Sequence, residues 1–283
     1  MKRHAYLILA HNNFGQLRKL VGLLDDPRND IFIHIDGKAY FNFRKWKDVC
    51  SHSALVFTKK RFRVHWGGYS IIRSEMELLK AATSFGEYDY YHLLSGADLP
   101  LKTQDTIHEF FDQNGGVEYM NLRNMTDEAQ LRFRYYTLFP EGARNFITAN
   151  INKIVKKYLR KTGRTINDGI DFKYGSQWFS ITDRLARYAV TQEEWIDKVF
   201  SHTCICDEVF FATLVWNSDF RNRLSPLNTN LRRIDWPHKG ARHPITFRAG
   251  HFDSLMSGKE FWARKFNESV DNEIIEKIYD RLK

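Results

Sequence analysis

The chain has 283 residues, 43% apolar and 27% charged, a balance that supplies a core for one large domain or two modest ones and excludes a disordered chain. Its net charge of +9 admits nucleic acid, an anionic membrane surface or a phosphate-bearing substrate as partner. Zinc-finger spacing and glycine–aromatic RNA-binding patterns are both absent, so no nucleic-acid partner is expected.

The first element is a strand over Ala5 to Ala10, closed by the polar turn His11-Asn12-Asn13. Leu17, Leu20, Val21 and Leu24 then recur at helical spacing until Asp25-Asp26-Pro27. A second strand, Ile31 to Ile35, stops at Asp36-Gly37-Lys38, and Ala54 to Phe57 reads as a third. Tyr69 to Phe85 carries Ile71, Ile72, Met76, Leu79 and Ala82 on one helical side. Tyr88 to Leu94 runs into Ser95-Gly96-Ala97-Asp98. A short helix capped by Thr103 extends to Phe111, and Val117 to Leu122 reads as another strand.

Residues 125–170 are rich in Arg, Lys, Tyr and Phe without a clear period. Within them Lys153 to Arg164 reads as a basic helix, either a solvated face or a contact for a membrane or an anionic acceptor. Order resumes with a strand in Gly175 to Thr182 and a helix from about Asp183. Cys206 to Trp216 reads as a helix opening with Asp207 and Glu208, where acids suit the N-terminus. Asn230 to Trp236 is a late strand, and a helix from about Val270 closes the chain.

Strands alternating with helices predict an α/β fold with a mostly parallel central sheet flanked by helices. Ligands of such sheets bind at the carboxyl ends of strands. The turns carrying His11, Asp36 and Asp98 all fall at such ends.

Several chemistries lack their motifs. There is no Walker-type glycine loop, no GxGxxG and no GxSxG elbow. His34 and His65 have no partners at metal-ligand spacing, and no Asp-X-Asp triplet is present. Cys50, Cys204 and Cys206 make no disulfide framework and point to a reducing compartment, with Cys204 and Cys206 as buried thiols. No apolar run approaches the ~20 residues that span a bilayer.

The order of motifs resembles the core-2/I-branching β-1,6-N-acetylglucosaminyltransferase and peptide O-xylosyltransferase family, glycosyltransferase family 14. The stretches that carry the resemblance are Tyr6 to His11, Ile33 to Asp36, Val64 to Ser70, His92 to Leu101, Gly175 to Phe179, Asp207 to Thr213, Arg233 to Trp236 and Arg242 through Lys265. They run in family order across nearly the whole chain. The resemblance implies a GT-A-type fold and one catalytic domain over 1–283, with a nucleotide-binding half (1–124) and an acceptor and catalytic half (125–283).

It further implies inverting transfer of a sugar, N-acetylglucosamine or xylose, from a UDP-sugar to a glycan or lipid-linked oligosaccharide. No divalent metal or other cofactor is expected, in keeping with the missing triplet. By motif matching Glu208 is the catalytic base, and Arg242 and Lys265 bind the nucleotide diphosphate. His11, Asp36, Asp98 and Ser176 fall to the donor, and Trp178, Trp236 and Arg134 to the sugar or acceptor.

Each residue also has a plainer reading: Glu208 as a helix opener, Arg242 and Lys265 as surface cations, Asp36 and Asp98 as turn residues, the tryptophans as core. A binding protein that kept the fold without the reaction is the alternative function. Many animal members carry an anchor, a stem and disulfides; this chain looks like a bare catalytic domain, and the expectation is a bacterial, cytoplasmic enzyme, peripheral at most at the inner membrane.

Overall fold

In the computed structural model, which describes residues 2–142, 145–241 and 243–283, the chain begins with β1 (His4–Ala10), α1 (Phe14–Leu24), β2 (Asn29–Ile35), β3 (Ala54–Phe57), α2 (Tyr69–Phe85) and β4 (Tyr90–Ser95). β5 (Asp98–Pro100), α3 (Gln104–Gln113), β6 (Leu122–Asn124), α4 (Asp127–Arg134) and α5 (Phe146–Thr162) follow. Then come β7 (Lys173–Gly175), β8 (Ser180–Thr182), α6 (Asp183–Thr191), α7 (Glu193–Phe200) and α8 (Phe210–Trp216). The chain closes with β9 (Arg232–Ile234), α9 (Phe252–Met256), β10 (Trp262–Arg264) and α10 (Glu273–Leu282).

The central sheet has the order β3-β2-β1-β4-β8. Its first four strands are parallel, and β8 joins β4 antiparallel. This is the expected mostly parallel α/β sheet, with one antiparallel edge. The apolar run of β1 is continuous because both its faces are covered. Ala5 and Leu7 point into one core with Ile72, Met76 and Leu79 of α2 and Leu185 of α6. Tyr6, Ile8 and Ala10 point into the other, with Leu17 and Leu20 of α1, Ile107 of α3 and Ile274 of α10. Helices thus flank the sheet on both sides.

Two small sheets complete the frame. β5 pairs antiparallel with β10, which in turn pairs parallel with β9, setting Arg264 opposite Asp98. β6 pairs antiparallel with β7, setting Arg123 opposite Tyr174.

Several elements differ from their sequence reading. The strand read over Val117 to Leu122 is instead two isolated bridges, at Glu118 and Tyr119, before β6. The run Gly175 to Thr182 splits around Gln177-Trp178 into the end of β7 and the whole of β8. The basic segment belongs to a helix starting at Phe146, seven residues before Lys153. Regular helix begins at Phe210, although the Cys206 carbonyl already accepts from Val209 and Phe210 N at 3.0 and 2.9 Å. Asp207 and Glu208 therefore occupy the turn that leads into α8.

All three cysteines are free; Cys206 is buried, while Cys50 and Cys204 are half-buried. No helix among the described residues is long and apolar enough to cross a membrane.

Candidate active site

The strand ends meet as the topology requires. Asp36 N donates to the Ala10 carbonyl and Gly96 N to the Leu9 carbonyl, each at 2.9 Å. The turns after β1, β2 and β4 therefore lie side by side at one edge of the sheet. His11 is exposed there. Asp36 is nearly buried, and its Oδ1 accepts from Lys38 N at 2.7 Å. Gln16 of α1 ties this edge to the end of β10, its Nε2 donating to the Gly96 carbonyl at 2.8 Å and to the Phe266 carbonyl at 3.3 Å.

A cleft of ≈ 980 Å³ opens beside β7, β9 and the end of β10. Glu208, Ser176, Trp178 and Trp236 all line it, so four of the residues singled out from sequence share one cavity. The Glu208 carboxylate accepts a hydrogen bond from the Tyr174 hydroxyl. Its backbone is fixed too, because the Glu208 carbonyl accepts from Gly175 N at 2.7 Å. That approach needs glycine: a Cβ at position 175 would lie 2.5 Å from the Asn121 carbonyl oxygen.

The loop before Glu208 is held from the other wall. Ile205 N donates to the Gly67 carbonyl at 2.6 Å. Ile205 adopts a φ of 53°, a costly left-handed conformation for a β-branched residue, of the kind found where a site over-determines its backbone. Ser176 Oγ accepts from Asn230 Nδ2 at 2.9 Å and from Trp178 N at 3.2 Å, which sets the turn carrying Trp178. Trp178 is almost buried, whereas Trp236 is 51% exposed at the mouth.

Sequence reading missed the charged groups around these residues. The Arg264 guanidinium stacks over Trp178, 4.0 Å from the ring centroid, and its Nε stands 3.5 Å from Asp98. Arg232 also lines the cleft. It is buried, donates to Ser180 Oγ at 2.9 Å and to the Leu93 carbonyl at 3.2 Å, and stacks over Trp262 at 4.6 Å. Burial draws its pKa down to about 9, the cost of a cation without a carboxylate contact.

Two further acids are buried beside Glu208. Asp207 keeps Oδ1 sealed from solvent without a hydrogen-bond partner. Burial, and then the charge of Glu208, push its pKa up to about 6. Behind it Glu75 of α2 is fully buried; its Oε1 accepts from Gln177 Nε2 at 2.7 Å, and burial drives its pKa well above the carboxylate range.

The remaining sequence candidates lie elsewhere. Asp98 is buried, engaged by Ser95 N at 2.9 Å and Ser95 Oγ at 2.7 Å, so its contact with the cleft runs through Arg264. Lys265 follows Arg264, with its carbonyl accepting from Phe247 N at 3.0 Å. Arg134 donates to the Asn167 and Ile170 carbonyls, each at 3.2 Å, and does not line the cleft. Arg242 lies outside the described residues, between Ala241 and His243, which both line the cleft.

An acid beside buried cations, in an aromatic-walled cleft at the carboxyl edge of an α/β sheet, is a layout suited to group transfer from an anionic, ring-bearing ligand. The family model described as Core-2/I-Branching enzyme matches residues 4–257, and the chain belongs to that family. Xylosyltransferase 2 of Rattus norvegicus is 24% identical over 97% of the chain and 33% of its own length. A xylosyltransferase of Ciona intestinalis is 23% identical over 99% of the chain and 34% of its own length. The chain thus spans about a third of the length of these curated relatives. Among solved structures, mouse xyloside xylosyltransferase 1 in its apo form overlaps 93% of the chain and 97% of its own, at 10% identity and a TM-score of 0.36.

Proposed function

We propose that this chain is a glycosyltransferase that moves a sugar from a UDP-sugar onto a hydroxyl of a glycan acceptor, with inversion and without a metal ion. The single observation that carries the reading is Glu208, held in the cleft by Tyr174 and Gly175 within an enclosure that also contains Arg232 and Arg264.

In this reading the Glu208 carboxylate takes the proton from the acceptor hydroxyl. The oxygen attacks the anomeric carbon from the face opposite the diphosphate, so an α-linked donor yields a β-linked product. Arg242 and Lys265 neutralise the departing UDP, each charge-assisted contact contributing about 1.5–3 kcal/mol. The strand-end turns with His11 and Asp36 receive the nucleotide, so residues 1–124 form the nucleotide-binding half, while 125–283 carry the acceptor side, the base and the cations that meet the diphosphate. Trp178 and Trp236 offer apolar faces to sugar C–H groups. N-acetylglucosamine is the first candidate sugar and xylose, named in the relatives, the second; a lipid-linked oligosaccharide is a candidate acceptor.

The test is Glu208→Gln, assayed for UDP release with donor and a cell-envelope acceptor extract, and separately for UDP binding by thermal shift. Transfer falls by ~10²–10⁴-fold, while UDP binding persists and EDTA leaves the parent rate unchanged. A Glu208→Gln variant of full activity overturns the base assignment, and a strict requirement for a divalent cation overturns the metal-free mechanism.

A further inference from the structure

Helix α5 has no buried residue along its 17 positions, although an isolated helix of that length is marginal in water. Its ends are well made. The Asn145 side chain accepts from Ile147 N and Thr148 N, and Gly163, at a φ of 67°, closes the last turn with its N–H on the Leu159 carbonyl. The protein touches only one side of it. Val155 and Leu159 are half-buried on that side, and Asn152 exchanges hydrogen bonds of 3.0 Å with Phe139 N and the Phe139 carbonyl.

The outer surface divides into two sectors. Ile147, Ile151, Ile154 and Tyr158, at steps of four, three and four residues, form an apolar stripe. Ile147 is 68% exposed, Ile154 69% and Tyr158 59%. Phe146, Leu138 and Phe139 add further exposed apolar surface beside it. Next to the stripe stand Lys157 and Lys161, with Lys153 beyond them, while Lys156 and Arg160 turn toward Tyr135 and Glu128 beside α4. Residues 145–164 contain no Asp or Glu. An apolar stripe flanked along the helix by cations and by no acid of its own is complementary to an anionic lipid headgroup layer with acyl chains beneath.

We propose that α5 is an in-plane membrane-binding helix that docks this protein on anionic phospholipid, inserting Ile147, Ile154 and Tyr158 while its lysines and arginines meet the headgroups. The inference is independent of the transfer reaction. It also fixes which side of the molecule meets the bilayer. Asn152 holds Phe139, and two residues on, Glu141 accepts from Ser70 N and Ser70 Oγ at 2.7 Å each, at the start of α2. Trp66, just ahead of that start, lines the cleft. The lipid-facing helix is thus anchored to one rim of the cleft.

The experiment is co-sedimentation of the full chain with vesicles of phosphatidylcholine alone and of an equimolar mixture of phosphatidylcholine and phosphatidylglycerol. Two triple variants are compared, Ile147→Ser/Ile154→Ser/Tyr158→Ser and Lys153→Glu/Lys157→Glu/Lys161→Glu. All six positions are exposed, and unchanged melting by circular dichroism confirms folding. The parent protein pellets with the anionic vesicles at low salt, not with phosphatidylcholine alone, and is released as salt rises. Each basic residue at the surface is worth about fivefold in partitioning, so the lysine variant loses on the order of a hundredfold or more. The apolar variant loses binding as well. Absence of anionic-vesicle binding at low salt, or binding that survives both triple variants, overturns the proposal. So does a parent dimer in sedimentation equilibrium that the apolar variant converts to monomer, which would make the stripe an interface between copies.

Discussion

The Glu208 carboxylate is held by a neighbour that sequence spacing does not reveal. The Tyr174 hydroxyl donates to its carboxylate, and Arg123 stacks over the Tyr174 ring at 4.7 Å. Burial and the bond to Glu208 push the Tyr174 pKa up, out of reach of physiological pH, so it stays a donor. Tyr174 is therefore a positioning residue in the proposed mechanism. Tyr174→Phe is expected to lower kcat about tenfold while leaving KM for the donor within about twofold. Unchanged kcat would show that the hydrogen bond aligns nothing. Glu208, Ser176, Trp178 and Trp236 are legible in sequence because each lies in a short stretch that matches a family motif. Arg264 and Asp98 are not legible as a pair: 166 residues separate them, and only the β5–β10 register brings them together. Asp207 is visible as a helix-opening acid, but its sealed oxygen is a consequence of packing.

At the scale of elements, legibility follows length and period. The bounds of α2 and β3 agree with the sequence reading, since one carries several turns of helical periodicity and the other is a short apolar run between polar segments. β9 falls inside the late strand read over Asn230 to Trp236, but β5 and β10 have three residues each, too few to display a period of two, so the pairing that places Arg264 is not visible before folding. The pairing of β6 with β7 carries a further consequence. At Gly175 an added Cβ would meet the Asn121 carbonyl oxygen at 2.5 Å and Ala212 Cβ at 2.9 Å. Neither is the flexible end of a side chain, so strand and helix must separate. Gly175→Ala is expected to lower stability by about 1–3 kcal/mol in urea denaturation and to reduce transfer through the displaced Glu208 backbone. Full stability and activity in this variant would mean that β7 has room to move.

Across the whole molecule, buried titratable groups set a stability optimum near neutral pH. His4, His34, His92 and His108 are buried. Desolvation is the first cause of a lowered pKa in all four, to about 4 for His34 and His108 and well below the usual value for His4 and His92. Three of them are linked: His92 Nε2 lies 3.2 Å from His4 Nδ1, and the His4 and His108 rings stack at 3.9 Å. Below the ordinary histidine value of about 6.5, the unfolded chain takes up protons that the folded chain refuses. Stability therefore falls on acidification, by about 1.4 kcal/mol per pH unit for each proton. Three buried carboxyls act in the opposite sense. Burial raises Asp207 to about 6, Glu118 to about 7 and Glu75 well above its ordinary value. Their contribution is complete below the ordinary carboxylate range and is lost as pH rises toward the folded values. Four histidines outweigh three carboxyls on the acid side; above about pH 7 the histidines are neutral in both states, and loss of the protons that burial keeps on carboxyls such as Glu118 turns the slope downward. The melting temperature should therefore peak between about pH 6 and pH 7.5 and decline on both sides. In the Glu118→Gln variant the alkaline decline should flatten, because the proton that burial keeps on Glu118 is no longer there to lose. A melting temperature that climbs steadily from about pH 6 to pH 9 would place these carboxyls, against their burial, in the ionised state.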